Sequence, residues 1–492
     1  MRKRLPLILI IGLAIVQAGL AQQAPGADYS DSRALPEGRR GERLRALIDT
    51  VNSATPAGIR GFITAQCAAR FRDMAPMDQH ITVFLNLARE TGGVDFYGIR
   101  TYTPPDLSET VVILKDRNLE NWWGVSVRFG GAPEYLIDGL GFQSARAPKD
   151  VKEAALTLDE AAAELKGAVA RLADKGVFSG AVLLAKGDRV LFTAAAGEAT
   201  KSFHVPNNVD TKFNLGSMNK MFTSTAVMRL IEKGKLGLDD PISKYVDESW
   251  LPKSVTDKIT IRHLLTHSSG LGSYFNGTYM KSSRALFRRL DDYKPLIRDD
   301  RPAFTPGSRF QYSNTGMFLL GVVIEKVTGE DYFEHIRKAI YGPAGMTSSD
   351  CYEMDYPVEN LAFGYSPDWK SPYGWQNNLY KHVIKGGPAG GGFSTVKDLH
   401  RFALALLSGQ LVSKQSLAPM WTDQLKSEYG YGFTVAEGAA GKIVGHSGGF
   451  PGINSRLDIY VDKSYIVAVM SNVDQGAEPI AEKALRLLAR VR

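Results

Sequence analysis

Strand-like segments stand at both ends of a long helical stretch, and this separation most limits the folds open to the chain. SGAVLLA (179–185) and RVLFTAAAG (189–197) form one pair, turning at Lys186-Gly187-Asp188. KIVGHS (442–447), SRLDIYV (455–461) and YIVAVMSN (465–472) lie near the other end. Apolar runs this short bury themselves by pairing with other strands. The spacing therefore predicts one sheet assembled from distant segments, with a helical lobe inserted between them. A helix over 156–173 opens this region and another over 478–491 closes it.

A second, smaller domain is expected upstream, because 492 residues exceed what one compact core accommodates. Leu44, Leu47, Ile48 and Val51 make one apolar helical face, and Ile81, Phe84, Leu85 and Leu87 make another. Four strand-like runs follow (VDFYGIRTY, TVVILKD, WWGVSVRF and YLIDGLGF), separated by Pro, Gly and Asn turns. This order predicts a small α+β domain, and the arrangement is similar to NTF2-like or cystatin-like modules. The expected division is a signal peptide over 1–21, a mobile segment over 22–40, the α+β domain over 41–145, a linker over 146–154 and the large domain over 155–492.

The signal peptide is read from Arg2, Lys3 and Arg4, an apolar run over 5–16, and small residues at Gly19 and Ala21. The run is shorter than the roughly 20 residues that a spanning helix needs, so the expected compartment is periplasmic or extracellular, with no transmembrane segment in the mature chain. The formal charge of +7 loses three cations with that segment, leaving +4 without a basic block, and no nucleic-acid partner is expected. Cys67 and Cys351 are the only cysteines and fall in separate domains, so two free buried thiols are expected. Neither the cysteines nor the eight histidines have metal-ligand spacing. His263 and His267, four apart in HLLTH, lack the glutamate of a zinc-protease helix and are read as structural members of a packed helix.

Ser-x-x-Lys occurs twice. In Ser394-Thr395-Val396-Lys397, Thr395 with Asp398 three residues later reads as a capping box, which explains that copy as a helix start. Ser217-Met218-Asn219-Lys220 instead follows the strand-like KFNL and opens a helix closing at Lys233-Gly234. Three residues of helix return Lys220 to the face of Ser217, and the hydroxyl sits at the positive helix end. A desolvated amine in reach of a serine makes an activated nucleophile. Gly445-His446-Ser447-Gly448-Gly449 matches a nucleophile elbow, but a strand follows it and no histidine lies beyond His446, so that reading fails.

Together, Ser217-Met218-Asn219-Lys220, Tyr312-Ser313-Asn314 and His446-Ser447-Gly448 resemble the three motifs of class C β-lactamases, penicillin-binding D,D-peptidases and related esterases. FSGAVLLAKGDRVLF, IRHLLTHSSGL, AGGGFSTVKDL and GHSGGFPGINSRL agree with this, and the resemblance covers about 155–492. It implies an α/β fold of the β-lactamase/transpeptidase type: an antiparallel sheet flanked by helices, plus a helical lobe. It also implies Ser217 as nucleophile, Lys220 and Tyr312 sharing proton transfer with the base left open between them, and Asn314 binding the substrate amide. The backbone N–H groups of Ser217 and Gly449 would form an oxyanion hole, with His446, Ser447, Gly448 and Gly449 lining the substrate.

One position departs from the β-lactamase pattern. His446 stands where those enzymes carry lysine, as in D-aminopeptidase- and esterase-like members. An imidazole of ordinary pKa, ~6.5, is mostly neutral at pH 7, so a substrate carboxylate meets no fixed cation there. The expected activity is an exported serine hydrolase cleaving small esters, D-aminoacyl or peptidoglycan-like peptides, or β-lactams, without metal or organic cofactor. The alternative is a penicillin-recognising sensor that is acylated without efficient turnover.

Overall fold

The computed structural model describes residues 28–106 and 108–492, so the signal peptide read from the sequence lies outside the described residues. The chain divides into two compact units, one running to residue 154 with 174–177, the other comprising 155–173 and 178–492.

In the first unit, five antiparallel strands follow one another in chain order: Asp28–Ser32, Val94–Thr103, Thr110–Asp116, Trp122–Phe129 and Ile137–Ser144. Helices Gly38–Ser53, Pro56–Gln66 and Met77–Thr91 bury Leu44, Leu47, Ile48, Val51, Ile59, Phe62, Ile81 and Phe84. The segment read as mobile from its composition contains an ordered edge strand: Asp28–Ser32 pairs with Val94–Thr103. Its anchor is Asp31, whose carboxylate receives both the Nε and an Nη of the buried Arg100 at 2.8 Å. Composition does not reveal such a partner, which lies 69 residues away.

The second unit carries a six-stranded antiparallel sheet in the order Thr434–Gly438, Gly441–Phe450, Ile453–Tyr460, Tyr465–Ser471, Gly180–Lys186 and Arg189–Ala196. The last strand of the chain, Tyr465–Ser471, pairs directly with the first of this unit, Ser471 opposite Gly180, so the sheet closes across the inserted lobe as the strand spacing predicted. Helices Leu158–Asp174 and Glu478–Ala489 bury apolar faces, among them Leu165, Val169, Ile480 and Leu487. The lobe is built on helix Asn219–Glu232 and helix Asn314–Thr328, both buried along most of their length. The first two motifs lie across the N-terminal starts of these two helices, and the sheet strand Gly441–Phe450 holds the third.

Cys67 and Cys351 are free and buried, as expected. Desolvation pushes both thiols up to about 12, which makes them poor nucleophiles at neutral pH.

Candidate active site

Ser217 lies in a short 3₁₀ turn, Gly216–Met218, that leads into helix Asn219–Glu232. It is the one half-exposed residue in the otherwise buried run 213–220. Gly216 has φ +50°, a left-handed conformation suited to glycine. A Cβ there would stand 2.8 Å from Gly449 N and 2.9 Å from Gly448 Cα. A Cβ on Gly448 would fall 1.9 Å from Leu215 O. Glycine at these positions lets the third-motif strand lie directly against the turn that carries Ser217.

Lys220 is fully buried, and its Nζ meets three groups: Ser217 Oγ at 3.0 Å, Asn314 Oδ1 at 2.9 Å and Ala389 O at 2.5 Å. Burial holds the amine well below the ordinary lysine range. A neutral amine has two hydrogens and one lone pair. Asn314 Oδ1 and Ala389 O can only accept, so they take both hydrogens. The lone pair is left for Ser217, whose hydroxyl then donates to it. This geometry lets the amine take up a proton from the Ser217 hydroxyl.

The Tyr312 phenol is raised above its ordinary pKa by burial, a shift that the Ser217 hydroxyl partly opposes. Its oxygen completes no hydrogen bond among the described residues, and Lys220 Nζ lies 4.8 Å from its ring centroid. Asn314 opens helix Asn314–Thr328, capped by Ser313, whose Oγ accepts from Gly316 N at 2.9 Å. The Asn314 amide nitrogen donates to Ser273 Oγ at 3.3 Å, so both ends of the side chain are held.

His446 departs from the ordinary imidazole expected of it. It is 1% exposed. Nδ1 donates to Ser447 O at 2.5 Å, which leaves Nε2 to accept from Tyr429 Oη at 3.0 Å. Desolvation first, then the nearby Lys220, lower its pKa to about 3. Between pH 6.5 and 3 the unfolded chain therefore binds a proton here that the folded chain refuses, and stability falls as pH falls. Relative to neutral pH, His446 should cost the fold about 2 kcal/mol at pH 5. Urea midpoints at pH 7 and 5 should accordingly converge in His446→Gln, and an unchanged gap would exclude this residue as a source of acid lability.

The rival motifs are structural or misplaced. Ser394 is buried, with its Oγ 2.7 Å from Ser349 Oγ, and Lys397 pairs with Asp210 at 2.8 Å. Thr395 caps Asp398 N at 3.1 Å, but the capping box read from the sequence is only half formed. The Asp398 carboxylate turns instead to Ser348 N and Ser349 Oγ, each at 2.8 Å. Ser447 sits within strand Gly441–Phe450, which turns directly into strand Ile453–Tyr460, so no elbow exists. His263 forms a capping box with Thr260 in helix Ile261–Leu265. His267 lies beyond that helix, contrary to its reading as a helical residue, and has φ +53°.

The structure also brings Ala389, Ser273 and Tyr429 to the site. Ala389 opens the AGGGFSTVKDL segment but acts through its carbonyl, which no side-chain pattern reveals, and Ser273 and Tyr429 belong to no motif. Among the described residues, no group of three or more His, Cys, Asp or Glu side chains is placed to hold a metal ion, and no helix is long and apolar enough to cross a membrane.

Residues 165–491 match the family model "Beta-lactamase". Over 324 residues the chain is 32% identical to penicillin-binding protein 4* of Bacillus subtilis (strain 168), covering 62% of this chain and 71% of that protein. The crystal structure of a penicillin binding protein from Bacillus halodurans superposes with a TM-score of 0.60 at 31% identity, covering 65% of this chain and 98% of that one. A D-stereospecific amidohydrolase from Streptomyces sp. superposes with a TM-score of 0.52 at 28% identity, covering 63% of this chain and 93% of that one.

Proposed function

The chain belongs to the Beta-lactamase family of serine hydrolases, and we propose that it is an exported enzyme that cleaves neutral esters or D-aminoacyl amides through an acyl-enzyme on Ser217. The observation that carries this reading is the Lys220 amine, buried, shifted toward neutrality and bound by two obligate acceptors beside the Ser217 hydroxyl.

In this mechanism Ser217 Oγ attacks the acyl carbon as its proton passes to the Lys220 lone pair. The oxyanion that forms is stabilised by the backbone N–H groups of Ser217 and Gly449, in a site where desolvated dipoles count for more than in water. Lys220, now cationic, stands close to the Tyr312 ring and favours release of the phenolic proton to the leaving group. The lysine then returns its proton to Tyr312, and both residues are ready to activate the water that cleaves the acyl-enzyme. Asn314 orients the substrate amide and fixes the amine. Ser447, Gly448 and Gly449 present the strand edge along which the substrate lies.

The substrate preference rests on charge. His446 is neutral, and both ring nitrogens are engaged, so this position offers a substrate carboxylate no cation. Export rests on the basic and apolar start of the sequence. The test is a substrate panel on the protein lacking residues 1–21: p-nitrophenyl esters, a D-phenylalanine amide and a cephalosporin. The ester or the amide should turn over with a higher kcat/KM than the cephalosporin. The reverse order would sink the substrate reading, and stoichiometric acylation without turnover would identify a sensor.

A further inference from the structure

Tyr312 carries half of the proposed proton work, yet its hydroxyl, which faces that of Ser217, completes no hydrogen bond among the described residues. The restraint comes from His267. The residue before Tyr312 donates its backbone N–H to the His267 carbonyl, Gln311 N to His267 O at 2.8 Å. The residue after it donates to the ring, Ser313 N to His267 Nδ1 at 3.1 Å. Between these two bonds the imidazole packs on the phenol ring itself, centroids 4.3 Å apart and planes 37° from each other. One residue thus grips the chain on both sides of Tyr312 and touches its side chain.

His267 occupies this position at a cost. Its φ of +53° is uncommon for any residue with a Cβ. Because Nδ1 accepts from Ser313, the hydrogen of the neutral ring is on Nε2, and that atom is buried without a partner among the described residues. A residue serving only as filler would be replaced by an apolar side chain with no polar atom left unpaired. Both penalties come with the same feature: a ring acceptor placed where Ser313 N–H needs one.

We infer that His267 is a positioning residue for the acyl-transfer reaction, fixing the Tyr312 hydroxyl against Ser217 by clamping the backbone on both sides of the tyrosine. The inference rests on Tyr312 acting in proton transfer. Displacing a reacting group by about 1 Å costs on the order of 10²-fold in rate, so the loss should appear in acylation and not in substrate affinity.

The experiment is a double-mutant cycle, read as the rate constant for acyl labelling of Ser217 by an alkyl ester, whose leaving alkoxide must take up a proton, followed by quenching and mass spectrometry. His267→Gly tolerates the positive φ but removes the acceptor. It should slow labelling by about 10- to 100-fold, with ester KM changed less than about threefold. His267→Asn adopts the same backbone and supplies a short side-chain acceptor, and should recover most of the rate. In a Tyr312→Phe background neither substitution should slow labelling further, because the group being positioned is gone. If the glycine variant fails to fold, His267→Leu, which keeps the volume and lacks the acceptor, takes its place in the cycle. An equal slowing in both backgrounds, or an asparagine variant no faster than the glycine or leucine one, would overturn the inference. A Tyr312→Phe enzyme as fast as the parent would instead defeat the mechanistic reading beneath it, leaving His267 a structural residue.

Discussion

Ser217→Ala should abolish both covalent labelling and hydrolysis while leaving thermal unfolding unchanged, a loss limited only by the uncatalysed background. The substitution removes one half-exposed oxygen whose contact is the Lys220 amine, and no apolar packing goes with it. The same replacement at the two competing serines should spare labelling. Ser394 Oγ is sealed in the interior against Ser349, and Ser447 lies within a paired strand, opposite Arg456. Peptide mapping of the labelled protein settles the matter. Label recovered on Ser447 would mean that the geometry around Ser217 has been misread.

Lys220→Met should lower kcat by about 10²- to 10⁴-fold, the span typical of a lost proton-transfer group. Methionine nearly matches the volume of the lysine stem, so the cavity stays filled. The more discriminating measurement is stability against pH. Because burial depresses the folded-state pKa of Lys220, the unfolded chain binds one more proton than the folded chain between that depressed value and the ordinary ~10.4. Stability owed to this residue therefore rises as pH rises across that window. The melting temperature of the parent, relative to Lys220→Met, should climb from neutral pH toward pH 10. A constant difference would mean that Lys220 stays charged when folded, and the general-base assignment would fall with it.

The surroundings of Lys220 account for so complete a burial. The amine exchanges hydration for two carbonyl-type acceptors and one hydroxyl, so no polar valence of a neutral amine is left unmet. Neither acceptor comes from the lysine's own helix. Asn314 is 94 residues further along the chain and Ala389 is 169. The proposed base is made by the meeting of three remote segments.

Local pattern and spacing determined a good deal. The strand runs at both ends of the large domain are apolar enough to require pairing, and only a sheet closed across the inserted lobe satisfies them all. Ser217 and Lys220 are three residues apart across a 3₁₀ turn and the helix it opens, so their contact follows from local helical geometry. The free, buried cysteines and the helix start at Thr395 were readable for the same reason, since each depends on near neighbours or on composition. Tertiary structure decided what depends on distant partners. Asp28–Ser32 is ordered because Arg100 reaches it across the sheet. His446 has a normal imidazole sequence context, and its displaced pKa comes from enclosure beside Tyr429 and Lys220. His267 appeared to be one more residue of a packed helix until the fold brought Gln311 and Ser313 to opposite ends of it. Periodicity records what a residue does within its own element. Desolvation and long-range hydrogen bonds are properties of the assembled interior, and no local stretch of sequence encodes them.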